Sequence, residues 1–202
     1  PDGGMLQLNF SASQINLEDE LQNALSANAR TIWTSLRPRG TLDRVDVSIV
    51  KRGRDPCELH VVLDKQPAER GTVGRSVAIH PTWFPYPLGD VTGQLVYDNG
   101  QMRLHSLRAR HGVVQLVTGG VCQWDRQGAW QLRLEGLSVD RMVFDRELAT
   151  ALPEKLRVAV TKLQPQGRVN VSGGIAFAGA PKQLLSASWN VKLTMAGGQL
   201  NP

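Results

Sequence analysis

Four histidines, His60, His80, His105 and His111, are the imidazoles available for metal binding or proton transfer. Ligand pairs on a strand sit two residues apart and on a helix four apart, whereas His105 and His111 are six apart, so the spacing reads as surface residues and no metal site is expected. Asp140, Asp145 and Glu147 could be imagined as the paired carboxylates of a glycosidase, but they gather just before a helical pattern, where acids complement the positive end of the helix dipole. A Gly-x-Ser-x-Gly elbow, a phosphate loop, a dinucleotide fingerprint and a His-Glu-x-x-His stretch are all missing from the sequence, so neither catalysis nor a cofactor is expected.

The two cysteines, Cys57 and Cys122, fall in strand patterns without the spacing of a zinc site, and buried thiols are the default expectation. A bridge between them would suit an oxidising compartment, but spacing does not decide it. Trp83, Phe84 and Tyr86 stand among Pro81, Pro85 and Pro87 and form the best candidate for an exposed aromatic loop that stacks on sugars. Trp130 and Trp189 keep the phase of apolar strand positions, which favours a core role.

Such side chains need a frame, and composition supplies its outline. The 202 residues are 41% hydrophobic and 20% charged, which is enough for one or two domains with a real core. No apolar run reaches the roughly 20 residues of a membrane-spanning helix. The net charge of +5 is spread among scattered arginines, Arg70 and Arg75 included, and does not form the basic block of a nucleic-acid arm. Pro1 stands where an initiator Met would, and the chain stops just after a strand pattern at Gln199–Pro202, so it reads as a piece of a longer protein.

Alternation of apolar and polar residues dominates and predicts strands with one buried face. Val45, Val47 and Ile49 alternate with polar residues, as do Leu59, Val61 and Leu63; Leu95 with Tyr97, Met102 with Leu104, Val114 with Leu116, Leu132 with Leu134 and Val169 with Val171 continue the pattern. About ten strands fit. Asn99-Gly100 supplies the type I′ turn of a hairpin from Val91 to Leu107. The chain is thus a β-dominated α+β protein, an antiparallel meander with two amphipathic helices.

Those helices are expected over Leu17–Leu36, with Asn16 as N-cap, and over Phe144–Leu163, with Pro153 producing a kink or two short helices. Shifted by 127 positions, LEDELQNALSANARTIWTSLRPRG (Leu17–Gly40) overlies FDRELATALPEKLRVAVTKLQPQG (Phe144–Gly167), with Glu20/Glu147, Arg30/Arg157, Pro38/Pro165 and Gly40/Gly167 among the identities. The expected organisation is a first repeat unit over 1–127, made of strand, helix and β-meander, and the start of a second over 128–202.

The stretch FPYPLGDVTGQLVYDNGQMRLHSLRARHGVVQLVTGG, Phe84 to Gly120, resembles a recurrent segment of the AsmA-like superfamily of TamB- and YhdP-type envelope proteins. The match is carried by Pro87, Leu88, Val91, Gly93, Asn99, Gly100, Leu107, Ala109, Gly112 and Gly119, about a fifth of the chain. The resemblance implies a strongly curved antiparallel sheet with an apolar inner face, in a membrane-anchored periplasmic protein of the cell envelope that supports lipid transport or outer-membrane homeostasis. Its partners would be lipid acyl chains and neighbouring repeats of the same chain, with no nucleic acid. The inner-face candidates are Val45, Val47, Leu59, Val61, Leu95, Tyr97, Leu104, Leu116, Leu132, Leu134, Val169, Val171, Trp189 and Val191. The same set could instead close into a core against the helices. A second reading is a polysaccharide-binding or adhesion module built on Trp83, Phe84 and Tyr86.

Overall fold

The computed structural model describes residues 4–195 apart from 26, 68–75, 126, 153, 164–166, 181–182 and 184–185. In chain order the elements are β1 (Met5–Asn16), α1 (Asp19–Ala24), α2 (Ala27–Leu36), β2 (Arg39–Arg52), β3 (Glu58–Lys65), β4 (Val77–Ala78), β5 (Gly89–Asp98), β6 (Gln101–His111), β7 (Val114–Trp124), β8 (Trp130–Met142), α3 (Arg146–Ala151), α4 (Glu154–Leu163), β9 (Val169–Gly179) and β10 (Ser186–Met195). The ten strands form one antiparallel sheet in the order β1-β2-β3-β5-β6-β7-β8-β9-β10, with the short β4 set against β2. The sheet does not close: β1 pairs with β2 and β10 with β9, which leaves an edge at each end.

The expected hairpin is present. Asn99 (φ 44°) and Gly100 (φ 91°) join β5 to β6 in the conformation a type I′ turn demands. Asn99 also accepts a hydrogen bond on Oδ1 from Leu59 N (2.9 Å), which docks the turn onto β3.

Each expected helix is a pair of short ones, and the break at Leu25 carries no proline. Leu25 and Leu152 both adopt extended backbone (ψ 151° and 141°), and α3 and α4 begin and end 127 positions after α1 and α2. The Arg30 guanidinium donates to the carbonyls of Asn23 (2.8 Å) and Leu25 (3.2 Å), so it serves groups that the end of α1 leaves without helical partners. Gly40 and Gly167 share a positive φ (109° and 102°) where each helix pair returns to the sheet. Asn16 is not the N-cap: it ends β1 and accepts from the Thr41 hydroxyl (3.0 Å), while Glu18 precedes α1 without a side-chain cap bond. Asp145 does cap α3, accepting from Leu148 N at 2.8 Å. Arg70, Arg75, Pro153, Pro165 and Gln199–Pro202 lie outside the described residues, as do the side chains of Leu156, Val160 and Leu163.

At one level across the sheet the regular pleat is interrupted in strand after strand. Gln14 (φ 57°) in β1, Gly93 (φ 124°) in β5, Ser106 (φ 50°) in β6, Gly136 (φ 60°) in β8 and Gly173 (φ 142°) in β9 all lie on it, and the ladders shift register beside Ser106, Gly119 and Gly136. The shifts place an extra residue in β6 and another in β8, and such bulges bend their strands and increase the local twist. Gly173 has no alternative there, since a Cβ would stand 2.1 Å from the carbonyl oxygen of Asn190 on β10. Polar side chains serve the same level: the buried Thr118 hydroxyl donates within reach of Gly119 O (2.9 Å) and Glu135 O (3.2 Å), and the buried Lys65 ammonium pairs with Asp43 (2.8 Å). We refer to this line as the crease.

Candidate functional site

Residues directly opposite in neighbouring strands share a face, so the register defines rows across the whole sheet. One row reads Phe10, Val47, Val61, Tyr97, Met102, Cys122, Leu132, Phe177, Ala187, from β1 to β10, with the Tyr97 hydroxyl and the Cys122 thiol as its only polar groups. The next row toward the crease on the same face reads Ala12, Val45, Leu63, Leu95, Leu104, Gly120, Leu134, Ile175, Trp189. On the opposite face, the row one position from the first reads Asn9, Ser48, His60, Asp98, Gln101, Gln123, Gln131, Ala178, Ser186. Between the two apolar rows the opposite face reads Ser11, Asp46, Val62, Val96, Arg103, Val121, Arg133, Ala176, Ser188, so that face is mixed and turns polar only toward the hairpin ends.

The apolar face is covered only in part. Beyond the crease, toward the helices, Leu42, Val77, Val91 and Ala109 are buried together, with Ile15, Leu17, Val45, Leu107 and Leu116 packed against them. Under α3, Leu148 and Ala151 bury Tyr86, with Phe84, Met142 and Phe144 around it. On the other side of the crease, Val47, Val61, Tyr97, Met102, Leu132 and Phe177 are half-buried, although Cys122 is enclosed. At the edges the same face is open: Phe10 is 57% exposed, Leu8 39%, Trp189 39% and Leu193 54%.

The inner-face candidates accordingly divide. Val169 and Val171 are buried (1% and 8% exposed) and Leu116 packs on the enclosed cluster, so these three belong to a core and do not line an open surface. Val47, Leu59, Val61, Leu95, Tyr97, Leu104, Leu132 and Leu134 are half-buried, Val45 touches both regions, and Trp189 and Val191 are exposed on the edge strand. Trp189, on the edge strand β10, is 39% exposed and therefore has no core role among the described residues. Alternation marks Phe10, Met102, Cys122 and Phe177 for the same face, and only the register shows that they complete a row.

The aromatic loop also departs from expectation. Tyr86 is buried at 5% exposure, and Trp83 and Phe84 are half-buried, so the three do not form an exposed stacking surface. Burial, then the nearby Asp145 and Glu147 carboxylates, push the Tyr86 phenol up to about 12, and its hydroxyl has no hydrogen-bond partner. His111 is no plain surface residue. Its ring lies 4.1 Å from that of Tyr86, Nδ1 donates to Pro87 O (2.8 Å), and Nε2 faces Glu147 at 3.3 Å. With the Nδ1 proton committed, the Glu147 contact is attractive only when the ring carries a second proton. Cys57 is exposed in the β2–β3 connection, Cys122 is buried, and both are free thiols; burial pushes the Cys122 thiol up to about 12. On the polar face, the hydrogen bond from Arg44 (2.7 Å), followed by one from Ser11, holds the Asp46 carboxyl below its ordinary range.

Among the described residues no three His, Cys, Asp or Glu gather as metal ligands, and no helix is long and apolar enough to cross a membrane. The chain matches no family model, and no curated protein or solved structure matches it.

Proposed function

We propose that this chain is a non-catalytic module of an AsmA-like protein of the bacterial cell envelope, and that the uncovered part of its apolar face forms a trough for phospholipid acyl chains. One observation carries the reading: the predominantly apolar row from Phe10 to Ala187, which crosses nine strands and is half-buried or exposed at every place but Cys122. Apolar surface on this scale calls for an apolar occupant, and each methylene withdrawn from water contributes roughly 0.8 kcal/mol.

The bulges in β6 at Ser106 and in β8 at Gly136, on one level with the positive-φ residues Gln14, Gly93 and Gly173, support a curved sheet, since bulges bend their strands. The open edges at β1 and β10, each carrying exposed apolar residues on the trough side, fit neighbouring repeats of the same chain as partners. The matched boundaries of the two helix pairs support a first unit over 1–127 and a second beginning at 128, in a membrane-anchored periplasmic parent that moves lipid or maintains the outer membrane. Burial of Tyr86 speaks against the sugar-binding alternative.

Native mass spectrometry after incubation with vesicles of phosphatidylethanolamine and phosphatidylglycerol tests the reading. Bound phospholipid is expected on the native chain and is lost in Val61→Asp while the circular dichroism spectrum is kept. A native chain that carries no lipid overturns it.

A further inference from the structure

On the uncovered side of the crease one ring from outside the sheet meets the apolar rows. The Trp83 indole lies 4.5 Å, centroid to centroid, from Phe177 on β9, with the planes tilted by 55°. Phe177 stands in the first apolar row, between Leu132 and Ala187, so the indole occupies a place on the face where the proposed trough runs.

The backbone that carries Trp83 is held on both sides. The loop is closed at its base by the Ile79–Leu88 pair, whose two N–H groups donate to each other's carbonyls at 2.8 and 2.9 Å. His80 N and Thr82 N donate to Leu36 O and Ser35 O at the end of α2, both at 2.8 Å. On the far side, Tyr86 is anchored beneath α3 and its N–H closes a tight turn onto Phe84 O at 2.7 Å. Pro81, Pro85 and Pro87 restrict φ in the same stretch. A segment fixed in this way cannot swing as a lid, whereas a half-buried side chain at its centre can change rotamer without breaking any of these bonds.

We propose that Trp83 is a gate residue of the trough: its indole covers Phe177 and turns aside when an acyl chain takes its place. The inference rests on the trough reading and adds the position at which the trough is occupied by the protein itself. Indole and methylenes are both apolar, so the exchange trades one apolar contact on Phe177 for another, and the gate leaves lipid binding weak and reversible.

The test uses the full chain with 5-fluorotryptophan at all five tryptophans, read by fluorine NMR, the Trp83 resonance being assigned by its loss in Trp83→Phe. Dihexanoyl phosphatidylglycerol, added as monomers, is expected to shift the Trp83 resonance with the same midpoint as lipid uptake in native mass spectrometry. Trp83→Ala is expected to bind that lipid about three- to tenfold more tightly, because the closed state no longer competes. Phe177→Leu, which keeps the row apolar and removes the stacked ring, is expected to move the resonance toward its lipid-bound position without lipid. Lipid uptake with an unmoved Trp83 resonance and unchanged affinity in Trp83→Ala overturns the gate and leaves the trough standing. No uptake by either the native chain or Trp83→Ala overturns both.

Discussion

On the helix side of the crease, Ala109, Val169 and Val171 are enclosed; on the other side Val47, Val61 and Leu132 remain half-open, although all six belong to the same face of one sheet. Strand pattern is alike in the two regions and sets only which face a residue takes. Depth is set by what lies above it, namely α3, the 79–88 segment and Leu17 ahead of α1. One continuous face thus holds two regimes, a core that is enclosed and a surface that is left half-open.

The sharpest way to break this comparison is to remove the boundary itself. Gly173→Ala forces a Cβ against Asn190 O at a φ of 142°, and a loss of roughly 3 kcal/mol or more is expected in urea unfolding. Matched truncations then weigh the two regions: Val169→Ala should cost about 2 kcal/mol and Val61→Ala less than about 1 kcal/mol, since only the first empties a closed site. Equal costs would mean that the open rows are core after all.

The two helix pairs allow a smaller test of the same kind. Asp145→Ala removes a cap bond and should lower stability by about 1 kcal/mol, whereas Glu18→Ala, at the corresponding position of α1, removes none and should change thermal unfolding little. The smallest effect is expected as a gain. Tyr86→Phe deletes a buried hydroxyl without a partner and should stabilise the chain by up to about 1 kcal/mol. The phenol ionises near 10.0 when unfolded and about 12 when folded, so between those values the unfolded chain gives up a proton that the folded one keeps. Stability therefore falls as pH rises through that window, and urea titrations should show a shallower alkaline slope in Tyr86→Phe.

Much of this architecture is legible in the chain because period and turn chemistry are local. Alternation at Val45–Ile49 and Leu59–Leu63 and the Asn99-Gly100 turn each need only a few neighbouring residues, and the echo of the helices needs only the chain laid over itself at a shift of 127. The break at Leu25 has no such mark: it lacks a proline, and Arg30, which serves its carbonyls, reads in sequence as one more surface cation. The crease is half-legible, since Gly93, Gly136 and Gly173 hint at bulges while Gln14 and Ser106 give no sign of a left-handed backbone. The enclosure of Tyr86 depends on where α3 lands, which periodicity does not specify. The Trp83–Phe177 contact joins residues far apart in the chain and has no sequence signal of its own.

Apart from β4, every strand lies beside the one that precedes it in the chain, even where a helix pair intervenes. No strand has to be threaded between two already in place. A duplication that appends further strands at a margin would disturb no existing ladder, and synthesis can lay the sheet down in the order in which it is translated. Length is therefore the property this architecture changes most easily: strands can be added at a margin while the ladders already formed keep their pairing.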